Sequence, residues 1–262
     1  MNSASMPHGL KLVLIAVFIF LYIPIAVLVA LSFNEGGLPT AWSGFSLKWY
    51  AALAGNRAIL SAAFNTLIVA LISTTVATLL GTLLALGMEV RRRRGRMLEA
   101  LVFAPMIIPD IVLAIALLSF FSMLDMPMGL HTIIMAHVVF NLAFVCSVVR
   151  ARLKSFDWSI IEASADLGAS GVTTFRRVTL PVILPAVIAG ALLAFTLSVD
   201  EFIIAFFTAG AGRSSTTLPM QIYSMIRFGI TPEINALASI VMAVSVTALA
   251  LSQRLNRGVI AS

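Results

Sequence analysis

Leu12–Phe33 reads LVLIAVFIFLYIPIAVLVALSF, a run without a single charged residue. A helix needs about 20 mostly apolar residues to cross a hydrocarbon core about 30 Å thick, so this run is long enough to span a membrane. Five further segments qualify on the same reading: Ile59–Met88, Leu98–Leu124, Thr132–Val149, Ile183–Ala209 and Ile234–Leu251. The runs are continuously apolar, without the period of about two that a lipid-facing strand requires. The predicted fold class is therefore all-α, a polytopic membrane protein with six transmembrane helices in one transmembrane domain over residues 1–262. The second, third and fifth runs exceed a minimal crossing, which predicts tilt or ends that continue beyond the lipid.

Composition agrees. Of 262 residues, 60% are hydrophobic and 11% charged, and the mean hydropathy is +1.06; soluble domains carry about 25% charged residues. The net charge of +6 does not call for nucleic acid, because the basic residues sort by side of the membrane. One side holds Lys11, Arg91–Arg94, Arg96, Arg150, Arg152, Lys154, Arg176, Arg177, Arg254 and Arg257; the other holds Lys48, Arg57, Arg213 and Arg227. The positive-inside rule then places both termini in the cytoplasm. Arg91–Arg94 reads as a positive-inside anchor between the second and third spans, the alternative being a contact to acidic lipid or to an ATPase. Leu12–Phe33 is expected to stay as an uncleaved first helix, since no A-x-A-like site closes a short apolar region. Trp42, Phe45, Trp49 and Tyr50 fall in the first external connection and predict a short helix on the outer surface. Cys146, the one cysteine, excludes a disulfide within the chain and a Cys-based zinc site.

Enzymatic signatures are missing. The one Lys followed by Ser or Thr is Lys154-Ser155, preceded by Leu153 where a phosphate-binding loop needs Gly. No H-E-x-x-H occurs, and His8, His131 and His137 make no metal-ligand spacing. His137 shares a helical face with Asn141, which reads as a polar contact between helices. The chain is predicted to be no enzyme, with no catalytic residues, no metal and no cofactor of its own.

The longest cytoplasmic connection, about 150–182, is unlike a linker. Apolar residues mix with acids at helical spacing before Gly168, which suits the left-handed residue that ends a helix. Thr173 and Thr174 are placed to cap the next stretch, and Pro181 to begin the fifth span. The expected result is a compact knob that a cytosolic subunit can grip.

The segment resembles the EAA loop of the membrane subunits of ABC importers, the binding-protein-dependent transport inner-membrane components. Their pattern is E-A-A, three residues, G, nine residues, then I-x-L-P. Glu162, Ala163, Gly168, Leu180 and Pro181 match at that spacing, while Ser164 replaces the second Ala and Val178 replaces Ile. Ala163 and Ala169 keep the contact surface shallow. The resemblance implies a type I ABC importer permease fold. It also implies that Glu162, Ala163, Ser164, Gly168, Ala169, Leu180 and Pro181 form a coupling helix docked on an ATPase. The implied partners are a homologous permease subunit, two cytosolic ATPase subunits that use ATP and Mg, and a periplasmic or extracellular substrate-binding protein.

Further stretches are similar to one branch, the spermidine/putrescine permease subunits of the second, shorter type. They include Gly44–Tyr50, Ser155–Asp157, Phe195–Asp200, Leu218–Met225 and Pro232–Ala238. A polyamine is a multivalent cation, and carboxylates at separated depths suit it. Asp110 follows Pro109 in the third span, and Asp200 and Glu201 lie well along the fifth. Acids within spans face a bundle interior or a wet pathway, because a charge at the bilayer centre costs at least about 2.5–3.5 kcal/mol. These three either line the substrate path or serve packing. For Asp110 the packing role is as a helix-break carboxylate beside Pro105 and Pro109; for Asp200 and Glu201 it is pairing with a partner subunit near the outer interface. Arg213 and Arg227 flank a segment, Ser214–Thr231, similar to the outer surface that touches the binding protein. An opine or other amine remains open as substrate. An ion-coupled secondary transporter using Asp110 and Glu201 is the competing class, though it leaves the EAA spacing unexplained.

Overall fold

The structure is a computed structural model that describes residues 7–37, 41–90, 95–229 and 231–260. Arg91–Arg94, the anchor read from sequence, lie outside the described residues, as does the side chain of Arg213. Among the described residues, twelve α-helices run in chain order. They are α1 His8–Leu31, α2 Lys48–Gly55, α3 Arg57–Val90, α4 Gly95–Ile107, α5 Asp110–Met123, α6 Leu130–Lys154, α7 Ser159–Asp166, α8 Gly171–Thr174, α9 Leu180–Asp200, α10 Ile203–Thr208, α11 Leu218–Phe228 and α12 Pro232–Ile260. No strand occurs among the described residues beyond one isolated bridge, Asn34 with Phe45.

Four helices are long and apolar enough to cross a membrane, or five if one sharply bent pair counts as a single span. That pair departs from the continuous third span expected over Leu98–Leu124: α4 and α5 meet at 110°. Pro109 lacks an N–H and pushes Ile108 out of the helical region, so the helix ends there and a new one starts. The fifth span differs as well. A continuous helix runs Gly171–Asp200, passing through a wide π-helical turn at Phe175–Thr179 just before Pro181. The wide turn takes up the carbonyl that a proline ring would otherwise meet. The helix stops at Asp200, short of the expected Ala209, and resumes as α10.

The chain divides into two compact units. In the first, Met1–Leu60 with Ile222–Ser262, α12 packs on α1 and α2. The connection after α1 closes on Asn34, which is fully buried. Its amide donates to the Ala41 carbonyl at 2.7 Å and its oxygen accepts from the Ser43 N–H at 2.9 Å. The Trp49 indole donates to the Asn34 carbonyl at 2.8 Å, and Ser32 meets the Tyr50 hydroxyl at 2.6 Å. The predicted surface helix is α2, held by these aromatic side chains.

The second unit, Ser61–Gln221, is built on α6. Val145 is fully buried and lies where two other helices come close. A Cβ placed on Gly81 of α3 would sit 3.0 Å from Val145 and 3.1 Å from the Leu142 carbonyl. One on Gly190 of α9 would sit 3.4 Å from Val145. Lipid tails are as apolar as leucine, so helices in a membrane associate through such close packing at small residues. Ala85, Met88, Cys146, Val149, Leu153, Ile183 and Ala194 complete this core.

The two glycines should respond differently to alanine. Alanine favours a helix by up to about 1 kcal/mol over glycine, but overpacking costs typically 1–3 kcal/mol. Gly81→Ala is expected to lower the thermal midpoint of the purified protein in detergent, whereas Gly190→Ala leaves it about unchanged.

Candidate functional site: the coupling loop and the broken spans

The loop starts from the end of α6. Phe156 is buried and meets Trp158 edge-on at 5.3 Å, and Trp158 packs against the buried cluster that includes Val149, Leu153 and Ile183. Asp157 accepts the Ser159 N–H at 3.0 Å and so begins α7. The Ser159 hydroxyl and N–H hold the Asp157 carboxyl below the usual carboxylate range. Three residues on, Glu162 lies in the first turn of α7, where the helix dipole favours a negative charge. It is exposed, as are Ala163 and Gly168.

Gly168 ends α7 with φ +76°. Its N–H donates to the Ala165 carbonyl at 2.9 Å, and the Ala169 N–H reaches back to Ser164 at 3.1 Å. This pair of bonds is the Schellman arrangement, whose left-handed residue is best filled by glycine. Nothing lies within 4 Å of a Cβ at Gly168, so space around it is open and only the backbone conformation demands glycine. Ser170 then caps α8, accepting the Thr173 N–H at 3.3 Å. This corrects the expectation that Thr173 or Thr174 is the cap: Thr174 is buried, and its hydroxyl is 2.9 Å from Ser164. The serine that departs from the E-A-A pattern therefore ties α7 to α8. On the outside of the knob, Leu167 is 88% exposed and Val172 69%. Leu180 is half-buried and Pro181 exposed in the first turn of α9.

The acids lie at the two helix breaks. Asp110 is the first residue of α5, after the Pro109 bend. Glu201 occupies the gap between α9 and α10, in extended conformation, and its carboxylate accepts the Ile204 N–H at 2.8 Å. It thereby takes the capping role at the start of α10. α5 packs on α10, through Leu113, Ala114, Leu117, Phe121 and Ile204. Asp110 and Glu201 stand half-buried at the starts of these two packed helices, while Asp200 is exposed. Beside them, Ser198 joins three helices: His137 Nδ1 is 2.7 Å from its hydroxyl and Ser73 Oγ 3.1 Å. His137 is thus the interhelical contact that the sequence predicts.

Sequence reasoning missed a charged cluster at the other end of these helices. Arg150 Nε binds Glu89 at 3.0 Å and Nη1 binds Glu99 at 2.6 Å, so a residue counted as a topological charge holds α3 and α4 to α6. The acids themselves, just before and just after the basic run, were the available signal. Also unforeseen was the anchoring of the loop before α11. Asn65 donates to the Ser214 and Thr216 carbonyls at 2.9 Å, and Thr66 accepts from the Leu218 N–H at 2.7 Å.

Among the described residues no group of acids, histidines and cysteines is arranged to hold a metal ion. What the arrangement offers is a rigid exposed knob at one end of α6 and α9, and a pair of carboxylates at helix breaks deeper in the same unit. The architecture is that of an all-α polytopic membrane protein with one exposed helical knob.

Comparison with solved structures supports this class. A chain of a bacterial alginate ABC transporter, in complex with an alginate pentasaccharide-bound periplasmic protein, superposes with a TM-score of 0.74. It covers 93% of this chain and 90% of its own at 18% identity. A chain of the MetNI methionine ABC transporter gives a TM-score of 0.62 over 82% of this chain at 20% identity. Residues 77–260 match the family model described as binding-protein-dependent transport system inner membrane component, and the chain belongs to that family. It is 42% identical over 243 residues to the spermidine/putrescine transport system permease protein PotC of Escherichia coli K12, covering 92% of this chain and 91% of the relative. The putrescine transport system permease protein PotI of the same strain is 42% identical over 239 residues, 88% and 84% of the two chains.

The Ser164 link gives a direct expectation. A typical hydrogen bond contributes about 0.5–1.5 kcal/mol, so Ser164→Ala should speed amide exchange in α8 by roughly 2- to 12-fold, read by hydrogen–deuterium exchange of the membrane-embedded protein.

Proposed function

We propose that the chain is a membrane-spanning permease subunit of an ATP-driven ABC importer, and that the solute it passes is a polyamine such as spermidine or putrescine. The observation that carries this reading is the 42% identity to a spermidine/putrescine permease over 92% of the chain, joined to an EAA-type loop folded as an exposed knob. In this reading the chain crosses the membrane six times, with α4 and α5 as one bent crossing and α12 as the last. Both termini then face the cytoplasm of the bacterial inner membrane. A homologous permease subunit stands beside it, two cytosolic ATPases bind and hydrolyse ATP, and a substrate-binding protein delivers the solute on the outer side.

The cycle is alternating access. ATP binding closes the ATPases, the two Glu162–Pro181 knobs are drawn together, and the spans open outward; hydrolysis returns the path to the cytoplasm. Glu162, Ala163, Ser164, Gly168, Ala169, Leu180 and Pro181 carry the coupling, with Glu162 and Gly168 central. The half-buried pair Asp110 and Glu201, together with Asp200, supplies carboxylates that replace part of the hydration of an ammonium without holding it tightly. Breaks in spans suit such a site, since freed backbone groups and acids are tolerated where they line a cavity. The chain holds no cofactor.

Purification in mild detergent followed by uptake into liposomes tests the reading. A co-purifying ATPase and ATP-dependent uptake of labelled spermidine or putrescine support it; ATP-independent uptake by this chain alone overturns it in favour of an ion-coupled carrier. Within the assembled complex, Gly168→Asp should leave insertion intact and abolish transport, since a side chain is strained at φ +76° and a carboxylate is added to the docking surface. Asp110→Asn should weaken apparent affinity for the amine at least severalfold; unchanged uptake kinetics would remove Asp110 from the path.

A further inference from the structure

Arg150 projects from α6 one turn before the helix ends, and its guanidinium is engaged on every side. Nε donates to Glu89 at 3.0 Å, near the end of α3, and Nη2 donates to Glu99 at 3.2 Å, while Nη1 pairs with the other Glu99 oxygen at 2.6 Å. The Phe103 ring of α4 lies 5.9 Å from the guanidinium carbon. Arg150 is only 15% exposed and Glu89 3%. One planar fork therefore joins three helices, a task that arginine performs through several fixed donors and lysine, a point charge, does not.

Position gives the cluster its meaning. The α6 turn that carries Arg150 also carries Leu153, a member of the buried cluster against which Trp158, at the start of the knob, packs. The base of the knob and Arg150 are thus one turn apart on the same helix. On the far side, Glu99 sits in α4, and α4 leads directly to the 110° bend and to Asp110. Packed, hydrogen-bonded elements of this kind transmit displacement between separated sites.

We infer that Arg150 is a positioning residue for transport: its clasp on Glu89 and Glu99 makes α3 and α4 move with the knob, so that ATPase closure reaches the broken span at Asp110. The inference rests on the importer reading above.

The test uses the full assembled complex in lipid nanodiscs and liposomes. Three quantities are read: basal ATP hydrolysis, its stimulation by spermidine-loaded binding protein, and spermidine uptake. Arg150→Gln should keep basal hydrolysis per complex within about twofold while stimulation and uptake fall at least tenfold; Arg150→Lys should be intermediate. A purely structural role would lower all three in proportion to assembled protein. Should Arg150→Gln fail to assemble, Glu99→Gln weakens both Nη contacts and leaves the Glu89 bond, and is expected to lose about threefold in stimulation. Normal stimulation in whichever variant assembles overturns the inference. A spin label at exposed Met106 of α4 separates this outcome from failure of the importer reading, because ATP-induced displacement of α4 needs no transported solute. Displacement in the wild type that is lost in Arg150→Gln supports the clasp even if spermidine is the wrong solute. Equal displacement in both overturns it.

Discussion

Helix α6 can be approached closely by α3 and α9 because Gly81 and Gly190 leave room for Val145. In a lipid environment no hydrophobic force draws helices together, so the closeness of this contact is what gives the second unit a defined arrangement. Other features of that unit hang from α6 at fixed heights. Thr132 near its start donates to the Thr208 carbonyl at 2.7 Å, His137 meets Ser198, and Arg150 near its end takes Glu89 and Glu99. Displacing α6 would therefore disturb the knob, the broken spans and the loop before α11 together.

The two breaks share one physical logic. A transmembrane helix that stops inside the bundle leaves backbone groups that must find partners. At the second break Glu201 supplies one, accepting the Ile204 N–H; at the first, Asp110 sits where the dipole of α5 favours a negative charge. A carboxylate stabilised by a helix end is tolerated inside a bundle where a free one is not.

Much of the Glu162–Pro181 loop was legible from the sequence because its constraints are local. Gly168 stands where a left-handed residue must follow a helix, and the structure gives it φ +76°. The cap of α8 was placed wrongly for an equally local reason: Ser170, Thr173 and Thr174 can all cap, and only the burial of Thr174 against Ser164 decides among them. Pro181 reads as a helix start and stands in the first turn of α9; the π-helical turn before it, which joins α8 to α9 in one helix from Gly171 to Asp200, is announced by no short-range pattern.

What the sequence by itself determined is the all-helical, apolar class of membrane protein and the exposed turn-and-helix knob at Gly168. Hydropathy and turn chemistry act over a few residues and need no partner to be read. Tertiary structure alone decided that α5 packs on α10, with Asp110 and Glu201 half-buried and Asp200 exposed, and that Arg150 pairs with Glu89 and Glu99. Those outcomes depend on contacts between residues tens of positions apart: Glu89 and Glu99 mean little until α3, α4 and α6 are packed, and it is the glycine contacts at Val145 that pack α3 and α9 against α6.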